Sequence, residues 1–282
     1  MQERGRQREV QARVRGTNHR PATYLDRILV AHREAAAADR RSLDALIEKA
    51  MAEEEPPRGF RAALAATQGM AVISEVKRRS PSKGALAPDL DPAELARAYA
   101  AGGASCLSVL TDADFFGGSP ADLQRARAAV DLPVIRKDFT VSAHDVVDAR
   151  LMGADAVLLI VAALDDRELQ DFHDLAVELG LDALVETHDE PEVERALAVG
   201  AVLVGVNQRD LVTFEVDQRR ALSVAAAIPA EVVSVAESGI GEPADLLPLA
   251  AVGYKAALIG ESLVRSGDPT AAVAAMRAAT LA

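Results

Sequence analysis

Cysteine and long apolar runs are nearly missing from this sequence, and each absence narrows what the chain can be. Its 282 residues hold one cysteine, Cys106, so an internal disulfide is excluded. Because Cys106 lies within an apolar run, we interpret it as a packed side chain in a reducing compartment. No apolar run reaches the roughly 18 residues of a transmembrane helix, and no signal-peptide pattern opens the chain. We therefore expect a soluble, cytoplasmic protein with no membrane partner.

Aromatic residues and net positive charge are also lacking. With 3% aromatic residues and no Trp, the chain is poorly suited to stacking nucleic-acid bases. Its formal net charge of −12 disfavours a phosphate-backbone partner, since such partners are met by clustered Lys and Arg. Nucleic acid is therefore not expected as a partner. A hydrophobic fraction of 50% does allow a large buried core.

The chain changes character at about residue 22. Residues 1–20 carry six Arg and little apolar periodicity, so we predict a disordered or overlong N-terminal extension over 1–22, with a specific basic arm as the alternative. From Tyr24, apolar residues at helical spacing predict two helices before Pro56-Pro57 breaks the chain. We expect 23–282 to form a single domain that includes these helices.

In the rest of the chain, short apolar runs alternate with stretches in which apolar residues recur at helical spacing. The runs predict strands at 70–76, 105–110, 133–137, 155–161, 182–187, 201–206, 232–236 and 255–259. The other stretches predict helices at 92–101, 120–129, 142–152, 165–179, 189–199, 217–227, 243–252 and 269–281. Several helical stretches end in Gly, as in YAAGGA, RLMGAD, VELGLD, LAVGAV and AAVGYK, which is typical of the loop leading to a strand.

Apolar strands separated by helices indicate a parallel sheet that is buried on both faces. We therefore predict an α/β fold, a (β/α)8 TIM barrel with an N-terminal helical extension. An open, doubly wound sheet is the alternative, but no GxGxxG motif follows the first strand.

Polar residues at the carboxyl ends of the predicted strands would meet at the active face of such a barrel. These residues are Glu75, Lys77, Thr111, Asp112, Arg136, Lys137, Asp138, Glu186, Asn207, Arg209, Asp210, Glu237 and Ser238. Lys77, Lys137 and Glu186 favour a functional interpretation, because single charges there end otherwise apolar strands. Turn chemistry or ordinary salt bridges are favoured for five others: Thr111, Asp112, Arg136, Asp138 and Asp210.

Two glycines follow the seventh and eighth predicted strands, in AESGI and LIGES. Barrels of this kind often hold a phosphate there, on backbone N–H groups and a short helix N-terminus. Gly239 and Gly260 would let the backbone approach such a dianion, whereas plain tight turns are the alternative. The loop after the first strand, with Ser80, Ser82 and Lys83, could close over the same anion.

Neither a metal centre nor an activated thiol is indicated. The five His show no ligand spacing, and Cys106 has no evident His partner. A Schiff-base lysine stays open for Lys77 or Lys137, since a buried Lys near other cations loses its proton readily.

Eight blocks of sequence, in order, closely resemble the indole-3-glycerol-phosphate synthase family. The blocks are ISEVKRRSPSKG, SVLTDADFFGGS, LPVIRKDF, GADAVLLIVAAL, ALVETHDE, GVNQRDLVTFEVD, VAESGI and ALIGESLVR, and the match runs from about Leu25 to Leu263. The resemblance implies a carboxy-lyase of tryptophan biosynthesis. Such an enzyme converts 1-(2-carboxyphenylamino)-1-deoxy-D-ribulose 5-phosphate to indole-3-glycerol phosphate, releasing CO2 and water. It implies no cofactor and no metal.

The resemblance also implies which residues act. Positions matching the family's catalytic set are Glu75, Lys77, Lys137, Glu186, Asn207, Glu237 and Ser238. Phosphate contacts would fall at Ser80, Arg209, Gly239, Gly260 and the backbone N–H groups of Glu261 and Ser262. Glu261 departs from the pattern, because some members carry Ser or Thr there. Its carboxylate cannot donate a hydrogen bond, so only its backbone is assigned to phosphate.

Roles follow from the implied chemistry. Ring closure needs an acid at the ketone oxygen, and Lys137 is assigned that role. Lys77 would hold the substrate carboxylate, and Glu186 would be the base for loss of water. Apolar walls that hold the aromatic ring and exclude water are expected from Phe116, Phe139, Leu158 and Leu211.

Two rival functions share parts of this pattern. Another phosphosugar isomerase or epimerase would use the same phosphate cradle, but it would not need an apolar slot for an aryl ring beside Lys77. A non-catalytic phosphate-binding barrel would be expected to have lost Lys77, Lys137 or Glu186, and all three are present. The sequence names no protein partner.

Overall fold

Eight parallel strands close into a barrel in the computed structural model, which describes residues 23–80 and 83–281. The barrel strands are β1 Ala71–Val76, β4 Cys106–Leu110, β5 Val134–Lys137, β6 Ala156–Ile160, β7 Asp182–Thr187, β8 Leu203–Asn207, β9 Val233–Glu237 and β10 Ala256–Ile259. They pair in chain order, and β10 pairs with β1 to close the ring. A short antiparallel ribbon of β2 Arg79–Ser80 and β3 Gly84–Ala85 follows β1. The predicted (β/α)8 barrel is confirmed.

Three helices precede the barrel, namely α1 Tyr24–Ala38, α2 Leu43–Met51 and α3 Phe60–Ala65. The first two match the predicted pair, whereas α3 was not predicted, because six residues are too few to show an apolar period. Phe60 and Leu64 of α3 are buried against residues at the amino-terminal ends of the strands, such as Ala71 and Cys106. This helix therefore plugs the amino-terminal end of the barrel.

Helices also connect the barrel strands and cover the outside of the ring. They are α4 Pro92–Ala101, α5 Pro120–Ala129, α6 Ala143–Leu151, α7 Asp166–Glu178, α8 Glu190–Ala198, α9 Arg219–Val224, α10 Leu246–Ala251, α11 Glu261–Val264 and α12 Pro269–Ala278. Side-chain hydrogen bonds cap the first turn of several of these helices and fix where they begin. At α7, Asp165 accepts the Glu168 N–H while the Glu168 carboxylate accepts the Asp165 N–H. The glycines expected after helices lie there with positive φ: Gly103, Gly153, Gly180, Gly200 and Gly253.

Strand residues alternate between two buried layers. Inward-facing side chains such as Ile73, Ile135 and Leu184 form an inner core, and the outward-facing ones pack against the helices. Cys106 belongs to the inner core, so its interpretation as a packed side chain is confirmed. The same alternation brings the last inward residues of five strands to the carboxyl-terminal mouth: Glu75, Lys137, Glu186, Asn207 and Glu237.

Two earlier predictions concern residues that the structure does not describe, namely the N-terminal extension over 1–22 and the role of Ser82. Within the described ranges, no helix is long and apolar enough to cross a membrane.

A buried ion pair joins elements at the amino-terminal end of the barrel, away from the mouth. The Asp155 carboxylate, before β6, is fully buried and accepts two bonds from the Arg127 guanidinium, at 2.6 and 2.8 Å. It also accepts the N–H groups of Arg58 and Val134, each at 2.7 Å. One carboxylate thus links the segment before α3 to α5 and β5.

We expect Asp155→Ala to lower the free energy of unfolding by about 3–5 kcal/mol, because it leaves the Arg127 charge buried without its partner. Urea denaturation measures this loss. The exposed i,i+4 pair of Arg167 and Asp171 offers a control, and Asp171→Ala should cost less than about 0.5 kcal/mol. Equal losses in the two variants would contradict a structural role for Asp155.

Candidate active site

A cavity of about 650 Å³ opens at the carboxyl ends of the barrel strands. The structure brings every predicted site residue to its lining: Glu75, Lys77, Ser80, Phe116, Lys137, Phe139, Leu158, Glu186, Asn207, Arg209, Leu211, Glu237, Ser238, Gly239, Gly260, Glu261 and Ser262. Their contributions come from strand ends and from the loops that follow them. The cavity therefore collects charged, polar and apolar groups at one end of the barrel.

Lys137 lies at the centre of the charged groups. Its ammonium nitrogen is 3.3 Å from Glu186 Oε2 and 3.9 Å from Glu237 Oε2. The other Glu186 oxygen, Oε1, accepts a hydrogen bond from Asn207 Nδ2 at 3.0 Å. Strands β7 and β9 thus supply the carboxyls that face one ammonium from β5, and β8 supplies the amide that holds one of these carboxyls.

Burial alone would favour a neutral Lys137, but the charges of Glu186, Glu237 and Glu75 outweigh it and raise the pKa of this lysine. The side chain is therefore held as an ammonium. The raised pKa of Lys137 favours a role as an acid or as a stabilising charge over a role as a Schiff-base nucleophile, because such a nucleophile must be neutral.

The two carboxyls beside Lys137 have pKa values that are pushed apart. Burial opposes ionisation of Glu186, but the charges of Lys137 and His188 and the bond from Asn207 lower its pKa below the usual range. Burial and the negative charge of Glu186 raise the pKa of Glu237 well above the usual range. The two carboxyls that flank the ammonium therefore differ in acidity, with Glu186 the more readily ionised, an arrangement suited to proton transfer.

Glu75 and Lys77 form an ion pair on the wall beside β10. Gly260 follows β10, and a β carbon built there would overlap the Glu75 carboxylate and approach Lys77 Nζ to 3.0 Å. The predicted reason for this glycine was close approach of backbone to phosphate. The structure adds a second reason, since the absent side chain makes room for the Glu75–Lys77 pair.

The loops after β9 and β10 face each other across one side of the mouth. Ser238 and Gly239 have φ of 66° and 74°, a left-handed conformation that strains Ser238. Ser262 Oγ donates to the Ile240 carbonyl at 3.1 Å and ties the two loops together. The first N–H groups of α11 have no intrahelical carbonyl to meet, as at any helix start.

Glu261, the acidic departure from the family pattern, lies next to a compensating cation. Arg265 Nη1 is 3.3 Å from Glu261 Oε1, one turn further along. Arg265 also lines the cavity and was not predicted. On the opposite loop, the Arg209 guanidinium donates to the Phe214 carbonyl at 2.9 Å. Two guanidinium groups therefore border the side of the mouth that was predicted to bind phosphate.

The apolar wall holds more residues than the four that were predicted. Phe116 and Phe139 lie with ring centroids 6.3 Å apart. Sequence reasoning missed nine apolar lining residues: Leu25, Ile28, Leu110, Ile160, Phe214, Val216, Ile240, Leu258 and Ile259. Leu25 and Ile28 share a buried face of α1, and their spacing of three was the available signal. The chain position of α1 gives no indication that this face meets the mouth.

His32 of α1 lies close to two aspartates behind the aromatic wall. Its Nε2 is 2.9 Å from Asp112 Oδ2 and 3.9 Å from Asp138 Oδ1, close enough together for a metal ion to be held among the described residues. Asp138 Oδ2, however, already accepts the Thr111 hydroxyl at 2.5 Å and the Arg136 guanidinium at 3.2 Å. Since a cation already neutralises Asp138, the group fits a structural ion-pair network, as was favoured for these residues.

The fold and the cavity define a (β/α)8-barrel enzyme with its site at the carboxyl ends of the strands. The family model described as indole-3-glycerol phosphate synthase matches residues 25–276. The chain therefore belongs to the indole-3-glycerol phosphate synthase family, the decarboxylating lyases of tryptophan biosynthesis.

Curated relatives agree with this family. The chain is 56% identical over 245 residues to the indole-3-glycerol phosphate synthase of Nocardioides sp., covering 85% of this chain and 92% of that protein. It is 52% identical over 264 residues to that of Micrococcus luteus, covering 92% and 98%.

Similar solved structures share the fold alone. Thiamine phosphate pyrophosphorylase from Pyrococcus furiosus has a TM-score of 0.57 at 15% identity, covering 74% of this chain and 94% of that one. The N-acetylmannosamine-6-phosphate 2-epimerase of Clostridium perfringens has a TM-score of 0.57 at 14% identity, covering 72% and 91%.

We expect Glu237→Gln to stabilise the protein increasingly as pH rises. A carboxyl whose pKa is higher folded than unfolded opposes folding once the pH exceeds its unfolded value of about 4.3, by up to about 1.4 kcal/mol per pH unit. Gln is neutral throughout and escapes this penalty. Urea denaturation at pH 5 and pH 8 should show the larger gain at pH 8, with the exposed Glu231→Gln as control. A gain that is the same at both pH values would mean that Glu237 is ionised.

Proposed function

We propose that this cavity closes the indole ring, converting 1-(2-carboxyphenylamino)-1-deoxy-D-ribulose 5-phosphate to indole-3-glycerol phosphate with loss of CO2 and water. Family membership gives the reaction, and the assignment of residues to its steps is the proposal. The observation that carries the assignment is the position of Lys137 between Glu186 and Glu237. A half-buried ammonium flanked by two carboxyls of different acidity can deliver and recover protons during the reaction.

Lys137 acts as the acid of ring closure. Closure requires the ketone oxygen of the substrate to gain a proton as its carbon is attacked by the aromatic ring. Lys137 supplies the ammonium at the centre of the mouth. Because its pKa is raised, it stays charged until the ketone oxygen of the substrate develops negative charge. Loss of the substrate carboxylate as CO2 then restores the aromatic system.

Glu186 acts as the base for the loss of water. It is ionised, because Lys137, His188 and Asn207 stabilise its charge. Asn207 also fixes the carboxylate by its bond to Oε1. Glu237, held neutral next to it, serves as a hydrogen-bond donor rather than a second base.

The substrate lies across the mouth with its phosphate at the loops after β9 and β10. Arg209, Gly239 and Gly260 border that end, while Ser80 lies on the ribbon after β1. The aryl ring packs against the apolar wall that includes Phe116 and Phe139, and its carboxylate meets Lys77. Lys77 already carries a partner in Glu75, so a substrate carboxylate would share this ammonium and be poised to leave.

A phosphosugar isomerase or epimerase remains the rival function, and the apolar wall argues against it. Such an enzyme handles a polar sugar chain and has no need of a slot lined by Phe116, Phe139, Leu158, Leu211 and Phe214. A non-catalytic barrel is disfavoured by the complete set of charged groups around Lys137. We also infer action in the cytoplasm on a small phosphorylated molecule, with no role for nucleic acid, given a net charge of −12 and a single, buried thiol.

Lys137→Met should lower kcat about 10²–10⁴-fold, because it removes the acid while keeping much of the side-chain volume. Formation of indole-3-glycerol phosphate is followed by its fluorescence. The exposed Lys255→Met, at the opposite end of the barrel, is the control and should keep wild-type rates. A folded Lys137→Met protein with more than about a tenth of wild-type turnover would remove Lys137 from the acid role. A wild-type protein without activity on this substrate would overturn the proposed function itself.

Arg209→Gln should lower kcat/KM about 10–100-fold for the phosphorylated substrate, as expected for losing a charge-assisted bond. A dephosphorylated substrate should lose far less in the same variant, because both changes remove one interaction. Arg219→Gln is the control: Arg219 is the exposed first residue of α9 and does not line the cavity. Losses that simply add would place the phosphate elsewhere.

A further inference from the structure

His188 lies directly behind the proposed base, and the proposed mechanism does not use it. It follows the end of β7, two residues after Glu186. Its Nδ1 is 3.0 Å from Glu192 Oε2, and its backbone N–H donates to the same oxygen at 2.8 Å. One carboxylate from the first turn of α8 therefore fixes both the backbone and the ring of His188.

The other ring nitrogen is aimed at the active site. His188 Nε2 is buried and has no hydrogen-bond partner among the described residues. It lies 3.9 Å from Glu186 Oε1, the oxygen that also accepts the Asn207 amide. Glu186 Oε2 faces Lys137 instead. Asn207 and His188 thus lie beside Oε1 of the Glu186 carboxylate, whereas Oε2 faces Lys137 in the cavity.

The charges around this imidazole favour its protonated form. Burial opposes protonation, but the hydrogen bond to Glu192 and the charges of Glu186 and Glu192 outweigh it and raise the pKa of His188. Arg220 of α9 acts in the opposite direction. Its guanidinium is itself 3.5 Å from Asp210, which offsets part of its charge. Two carboxylates at close range therefore oppose one partly neutralised cation.

We propose that His188 is a positioning residue for the reaction: anchored by Glu192, its protonated ring keeps Glu186 ionised and turned so that Oε2 faces Lys137. The proposal rests on the proposed function only for the role of Glu186 as base. The chain from Glu192 through His188 to Glu186 consists of contacts between described residues. An uncharged side chain at position 188 would leave the buried Glu186 with less stabilisation of its negative charge.

A second buried histidine provides a matched control. His173 of α7 is buried to a similar degree, but its nearest carboxylate is the exposed Asp174, 3.8 Å away. Burial lowers the pKa of His173 despite that neighbour. It does not line the active-site cavity. His173→Gln therefore reports what loss of a buried imidazole does to the fold alone.

The first test is the pH dependence of kcat/KM. In His188→Gln the acid limb should move to higher pH by about one unit, because a charge some 4 Å from the base is lost. Rates should converge with wild type at alkaline pH, where His188 of the wild type is as uncharged as the Gln that replaces it. His173→Gln should leave the limb in place. An unmoved limb in a folded His188→Gln protein, or an equal loss of rate at every pH, would overturn the proposal.

The second test needs no turnover. Coupling between two sites is reciprocal, so replacing Glu186 must lower the pKa of His188 by about as much as His188→Gln moves the acid limb. NMR titration of assigned imidazole resonances in wild type and Glu186→Gln measures this directly, with His173 as the internal reference. An unchanged His188 titration would overturn the proposal even if the enzyme is fully active. A lowered pKa in a protein inactive on the substrate would support the coupling and reject the proposed function.

Discussion

The charge of Lys137 is the interaction on which the rest of the mouth depends. A half-buried ammonium is stabilised by negative partners, and Glu186 and Glu237 provide them from other strands of the barrel. Two carboxyls so close to one another cannot both ionise freely, which leaves one charged and one neutral. Asn207 and His188 then select which one is charged. The acid–base character of the site follows from this balance rather than from any single residue.

Closure of a parallel barrel makes this balance possible. Because strand side chains alternate, a closed ring directs the last inward residue of each strand to one small volume. β5, β7, β8 and β9 use that position for Lys137, Glu186, Asn207 and Glu237. The opposite end of the ring is fixed separately by Asp155 and Arg127. Stability and chemistry are therefore carried by groups at different ends of the barrel.

The sequence predicts the strands and the inward charges well, because each charge interrupts an apolar run at the point where a strand ends. It predicts poorly what reaches the mouth from elsewhere in the chain. Leu25 and Ile28 come from a helix whose position on the barrel depends on tertiary packing. The contact between Gly260 and Glu75 joins the last and the first strand of the barrel, which are far apart in the chain, and no local pattern encodes it. The sequence gives no sign of a role for His188, since its distance from Glu186 depends on how the ring is held by Glu192.

The position of α3 at the amino-terminal end of the barrel affects how substrate and products enter and leave the cavity. Phe60 and Leu64 pack into the amino-terminal end of the barrel, so among the described residues the cavity opens at the carboxyl-terminal mouth. The substrate must enter through this mouth, and indole-3-glycerol phosphate, carbon dioxide and water must leave through it. Leu25 and Ile28 line this cavity from α1. Exchange with solvent therefore takes place beside α1, a helix that the eight β/α units do not include.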